Sequence, residues 1–291
     1  MKPVPPPHPD PSKPTFVLPR NACDTHVHVY GPAAKFPLDP ARTYDPPDAP
    51  IEQLEALYRL LGIDRAVLVQ ATVHGTDNRA MLDAIARAPQ RYRGVALVDD
   101  DVSLETLNAL HAQGVRGVRY NFMPHLGQSA DPDKVRKVAE RIAPLGWHVQ
   151  LHINAVHLGT VRGLLNSLPV PFVIDHMGRT MVADGLDQAP LRELLDLLRH
   201  PRAWLKISGP ERISAALSQQ EIPYADAVPF VRRMLEVAQD RIVWGTDWPH
   251  PNVREVPDDG KLVDLLPLYS DDPAVLERIL VGNPERLYWY D

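Results

Sequence analysis

Cysteine is almost absent from this chain of 291 residues, where Cys23 stands alone. One thiol excludes an intrachain disulfide framework and any zinc cluster built on thiolates, so metal chemistry must rely on histidine and carboxylate. No stretch approaches the roughly 18 uninterrupted apolar residues of a membrane span, and the N-terminus lacks the apolar run of a secretory leader. The cytoplasm is the expected location, with no membrane partner. Basic residues number 31 against 37 acidic ones, a net charge of −6, and they form no run. A nucleic-acid surface is therefore not expected, and small molecules are. No G-x-G-x-x-G turn follows the first predicted strand, which argues against a dinucleotide-binding open sheet.

Proline is the excess, 31 residues, about twice its usual share. Eight of these fall within the first nineteen residues, so residues 1–20 read as an extended arm without a core of its own, and 21–291 as the folded domain. Six more lie in residues 32–50, a long loop after the first strand that is expected to roof a pocket.

Beyond the arm, short β-branched runs alternate with amphipathic stretches. The strand candidates are 22–30, 65–71, 93–98, 115–121, 147–153, 171–175, 203–207 and 241–246. Helix candidates with apolar residues three and four apart are 51–61, 78–88, 103–112, 133–144, 156–167, 190–199, 226–239 and 273–282. In the last, Asp271 or Asp272 is placed to cap ahead of Pro273. Continuous apolar strands alternating with helices predict a parallel sheet covered on both faces, and eight such units predict an α/β fold, a single-domain (β/α)8 TIM barrel.

His26-Val27-His28 lies in the first predicted strand, where residues two apart share a face and two imidazoles can converge on one ion or substrate. Alone, the pair is weak; buried or hydrogen-bonded histidines are the commoner case. His152 near the end of strand five, His176 just after strand six and Asp247 just after strand eight change that. In a barrel all five reach the C-terminal mouth, where catalysis is placed.

With these residues the sequence resembles the amidohydrolase superfamily, whose members carry H-x-H on strand one, His on strands five and six, and Asp on strand eight. Within it, DTHVHVYGP, QATVHGTDNRAM, GVRGVRYNF, DHMGR, PERIS, WGTDWPHPN and NPERLYWY resemble the 2-pyrone-4,6-dicarboxylate lactonase branch, over residues 21–290. The resemblance implies a hydrolase that opens a lactone bearing carboxylate or other anionic groups by activated water, a carboxylic ester hydrolase of the EC 3.1.1 type. It implies Asp247, His176, His26 and His28 as catalytic residues. Arg119 and Arg212 would bind carboxylates, since a guanidinium grips them with two parallel hydrogen bonds. Tyr44 and His74 would stand in the pocket wall, with His125 and His250 as further substrate contacts. Arg116, Arg79 and Arg179 are expected to be structural.

Two departures from the branch bear on this. Met123-Pro124-His125 replaces a Lys-Arg pair after strand four, and His152 replaces a non-ligand aromatic on strand five. The second restores the superfamily's metal set, His26, His28, His152 and Asp247, for one divalent ion, Zn or Mn. A metal-free site is the alternative. The expected partner is a small anionic lactone, together with at most further copies of the chain in a homo-oligomer. A nonoxidative decarboxylase, a sugar-acid lactonase and a barrel that binds without chemistry are the competing readings.

Overall fold

The computed structural model describes residues 2–123, 130–216 and 222–290. Each predicted strand forms: β1 (Cys23–Val27), β2 (Arg65–Val69), β3 (Tyr92–Ala96), β4 (Val115–Asn121), β5 (His148–His152), β6 (Phe172–Ile174), β7 (Ala203–Ile207) and β8 (Ile242–Trp244). They make one parallel sheet in the order β8-β7-β6-β5-β4-β3-β2-β1. Parallel neighbours need a long crossover, and helices supply it: α1 (Ile51–Leu61), α2 (Arg79–Arg87), α3 (Leu104–Ala112), α4 (Pro132–Ile142), α5 (Leu158–Ser167), α6 (Ala189–Leu197) and α7 (Val228–Ala238). The expected (β/α)8 barrel is the observed fold.

Hydrogen bonds of 2.8 Å close the seam between the ends of the sheet, from Thr25 Oγ1 to the Trp244 carbonyl and from the Asp247 N–H to the His26 carbonyl. Gly245 permits this approach, because a Cβ there would lie 2.7 Å from the His26 nitrogen. Only glycine lets two backbones come so near. The strand register carries one inward-facing level around the wall. Arg119 pairs with Gln150, Gln150 with Val173 and Val173 with Trp204, while Lys206 pairs with Val243. Helix faces such as Val135, Val138, Ala139 and Ile142 of α4 bury fully against the outside of the sheet.

The chain after β8 departs from expectation. Two short helices, α8 (Asp259–Asp264) and α9 (Leu266–Tyr269), precede the predicted one. Gly260 and Pro267 interrupt the apolar period there, so the pattern is too short to read. Next come α10 (Pro273–Glu277), a π turn (Arg278–Gly282) and α11 (Asn283–Tyr288). Asp272 caps α10, accepting from the Ala274 N–H at 2.9 Å. At the N-terminus, Lys2–Pro3 pairs in parallel with Tyr44–Asp45, and Ser12, Thr15 and Phe16 donate backbone N–H groups to Asp258 and Asp264. Among the described residues, no helix is long and apolar enough to cross a membrane.

Candidate active site

The centre is assembled from strand ends. A register shift between Asp24 and Val27 breaks the simple alternation of β1. Cys23 therefore packs with the inward valines Val69 and Val95, while His26, three residues on, lines the interior too. After β6 and β8 the backbone turns through the left-handed region, at His176 (φ 49°), Met177 (54°), Arg179 (49°), Asp247 (72°), His250 (62°) and Asn252 (59°). Such backbone costs on the order of 1 kcal/mol per residue and clusters where function requires it. Here it returns His176 and Asp247 over the barrel axis.

Asp247 is the hub. Its Oδ2 accepts from Arg212 through Nε at 2.9 Å and through Nη2. Its Oδ1 has no hydrogen-bond partner and faces the Nε2 atoms of His28 at 3.5 Å, His26 at 3.6 Å and His176 at 3.8 Å. The outer nitrogens of His28 and His176 are hydrogen-bonded, and that of His26 stands beside a carboxylate without a hydrogen bond. His28 Nδ1 donates to the Val69 carbonyl at 2.8 Å, His176 Nδ1 meets Ser208 Oγ at 2.9 Å, and His26 Nδ1 lies 3.3 Å from Asp175 Oδ1. A carbonyl can only accept, so His28 carries a proton on Nδ1 and turns Nε2 toward Asp247.

Burial fixes the charge states. It lowers His26 to about 3 and holds His176 and His152 well below the ordinary imidazole range. Those rings are neutral at pH 7 and offer lone pairs rather than positive charge. Burial would raise the Asp247 carboxyl, but the guanidinium of Arg212 outweighs it and holds Asp247 well below the usual carboxylate range. Asp175 is held low in the same way by the cations Arg119 and Lys206.

Above the hub opens a cavity lined by His28, Tyr44, Thr72, Arg119, His152, His176, Arg179, Arg212, Asp247, Pro251 and Asn252. The structure brings His26, His28 and Asp247 together as ligand atoms within 4.8 Å of one another. It does not bring His152 into that set: the ring lines the cavity edge-on to His176, centroids 5.3 Å apart. Tyr44 and Arg119 stand in the cavity wall. Arg212 does too, but its fork is closed on Asp247.

His74 and His250 are not among the lining residues. The His74 ring reaches away to hold the loop after β1, with Nδ1 3.2 Å from the Pro37 carbonyl and Nε2 accepting from the Gly31 N–H. His250 is buried and pairs with Asp259 at 3.0 Å while its N–H ties back to the Asp247 carbonyl. Both brace loops around the cavity. His125 lies outside the described residues. Arg179, read as structural, lines the cavity, and its buried Nε has no partner. Its position in DHMGR was the available signal. Asp175 was also passed over, although it lies two residues beyond the inward Val173 and so shares its face.

The comparisons with known proteins fit this geometry. A relative from Comamonas testosteroni named 2-pyrone-4,6-dicarboxylate hydrolase is 46% identical over 286 residues, covering 96% of this chain and 94% of its own. One from Hydrogenophaga intermedia named 4-sulfomuconolactone hydrolase is 39% identical, covering 94% of this chain and 90% of its own. The solved apo structure of an Agrobacterium tumefaciens protein superposes with a TM-score of 0.81 at 30% identity, over 96% of this chain and 99% of that one. A family model described as amidohydrolase matches residues 23–289, and the chain belongs to that family.

Proposed function

We propose that this protein opens a lactone ring carrying anionic substituents, as a carboxylic ester hydrolase. One observation carries the reading: Asp247 presents a bare oxygen at the floor of a cavity walled by Arg119, Arg179 and Arg212. The relatives named for 2-pyrone-4,6-dicarboxylate and 4-sulfomuconolactone support the substrate class.

Arg119 and Arg179 take the anionic groups, because a guanidinium in a water-poor wall binds carboxylate or sulfonate strongly. Burial lowers Arg179 only to about 10, so it is charged at neutral pH. Water then adds to the ring carbonyl carbon as Asp247 Oδ1 takes one of its protons. The bond from that carbon to the ring oxygen breaks, and the same proton passes to the departing oxygen. The product is the ring-opened acid with an enol or alcohol. Arg212 keeps Oδ2 fixed, so the carboxylate cannot rotate the wrong oxygen into the reaction.

The residues fit a divalent cation. His26 Nε2 and Asp247 Oδ1 are buried without hydrogen-bond partners, and His28 Nε2 faces the same point. His26, His28 and Asp247 would hold Zn or Mn, with His176 beside them. Bound there, such an ion supplies an acidified water and a polarised carbonyl. A panel of lactones, assayed with and without added metal and chelator, tests the reading. Ring-opened acid from carboxylated lactones is expected; release of carbon dioxide, or no turnover of any anionic lactone, overturns it.

A further inference from the structure

Lys206 has no part in the steps above, yet its ammonium lies fully buried inside the barrel, beneath the reacting centre. Its partners are neutral. Nζ donates to the Thr25 carbonyl at 2.7 Å and to Gln150 Oε1 at 2.8 Å, and it lies 5.9 Å from the centroid of the Tyr288 ring. A buried ammonium is costly, and burial lowers Lys206 to about 8. A residue that costs stability at such a place needs an account.

The geometry supplies one. An ammonium has three donors and no acceptor, so it decides which end of the Gln150 amide turns toward it. With Oε1 held by Lys206, Gln150 Nε2 must face the other way, and it donates to Asp175 Oδ2 at 3.2 Å. Arg119 Nε gives the same oxygen a second donor at 3.0 Å. Asp175 Oδ1 is then left for His26, 3.3 Å from Nδ1. Of the two carboxylates that flank the ring, Asp175 is the nearer, 3.3 Å from Nδ1 against 3.6 Å from Nε2 to Asp247 Oδ1, and so it favours the tautomer with the proton on Nδ1.

We propose that Lys206 is a positioning residue: by fixing the Gln150 amide it orients Asp175 and so sets the tautomer of His26. Without the ammonium, Gln150 can turn over and put Oε1 against the carboxylate. Asp175 then loses a donor and its hold on His26 Nδ1 loosens. The same carboxylate holds Arg119 in the cavity wall, so one buried cation serves both the binding side and the reacting side of the site.

The test uses the full chain with ¹⁵N-labelled histidine, treated with chelator, as wild type, K206M and Q150L. Long-range ¹H–¹⁵N spectra, with His26 assigned by its loss in H26N, report the tautomer directly. Wild type is expected to hold His26 in the Nδ1–H form; in both variants at least a third of the ring should move to the Nε2–H form. In turnover, which rests on the proposed lactone chemistry, kcat should fall at least tenfold with KM within twofold, and the double variant should be no slower than the slower single. If K206M does not fold, Q150L decides, since it keeps the ammonium and cuts only the link. His26 retained as Nδ1–H in Q150L overturns the proposal whatever the rates. Should no lactone be turned over, the lactonase reading falls and the tautomer result still stands.

Discussion

Arg212 holds one oxygen of Asp247, with Nε at 2.9 Å, and leaves the other bare among three imidazoles. The pairing makes the two oxygens unequal, and the proposed reaction uses only the bare one. Removing the acceptor, Asp247→Asn, should lower kcat about 10³-fold, the middle of the range for a general base. Arg212→Lys keeps the charge but loses the fork, and should lower kcat about 30-fold with little effect on KM. Steady-state kinetics on a carboxylated lactone checks both. A KM effect alone in R212K would mean that the fork meets substrate instead.

Arg179 has the opposite signature. Its Nε is buried without a partner at the cavity wall, so a ligand group is needed to satisfy it. Arg179→Met should raise KM for an anionic lactone about 10- to 100-fold and leave a neutral lactone nearly unaffected, the effect of losing a charge-assisted contact. Comparing the two substrates on one variant is the measurement. Equal losses on both would assign Arg179 a structural role.

The barrel was legible because each strand is a short β-branched run bounded by turns, and eight of them leave few other architectures. The clustering of His26, His28, His176 and Asp247 was legible for a related reason: they lie at strand ends, and strand ends converge in a barrel whatever the loops do. Side-chain direction in the loops was not legible. His74 and His250 sit near the mouth, but both turn to brace backbone, at Pro37 and at Asp259. Arg179 turns inward because four successive residues from His176 to Arg179 adopt positive φ, a path that no apolar period encodes. Asp175 could have been found from strand parity alone.

His28 and His152 should part company in metal content. The structure groups His28 with His26 and Asp247, and leaves His152 against His176. Protein purified without chelator should carry about one equivalent of Zn or Mn, as one open three-ligand site allows. His28→Ala should bring this near zero, and His152→Ala should leave it unchanged. Elemental analysis of the three samples decides. Loss of metal in H152A would restore His152 to the ligand set.

Lys206 also predicts a pH dependence whose sign follows from its burial. The folded chain holds this ammonium at about 8, with Asp175 opposing part of the drop. An unfolded lysine titrates near about 10.4. Between those values the unfolded chain binds more protons at this position, so the residue's contribution makes stability rise with pH, by up to about 3 kcal/mol. Below pH 7.5 both states are protonated and the contribution is flat. The unfolding free energy of wild type minus that of K206M, from urea titrations, should therefore climb from pH 8 to 10.5, since the variant lacks the group and cancels every other titration. A difference that stays level across that window would mean that the ammonium keeps an ordinary pKa, with more solvation inside the barrel than its complete burial allows.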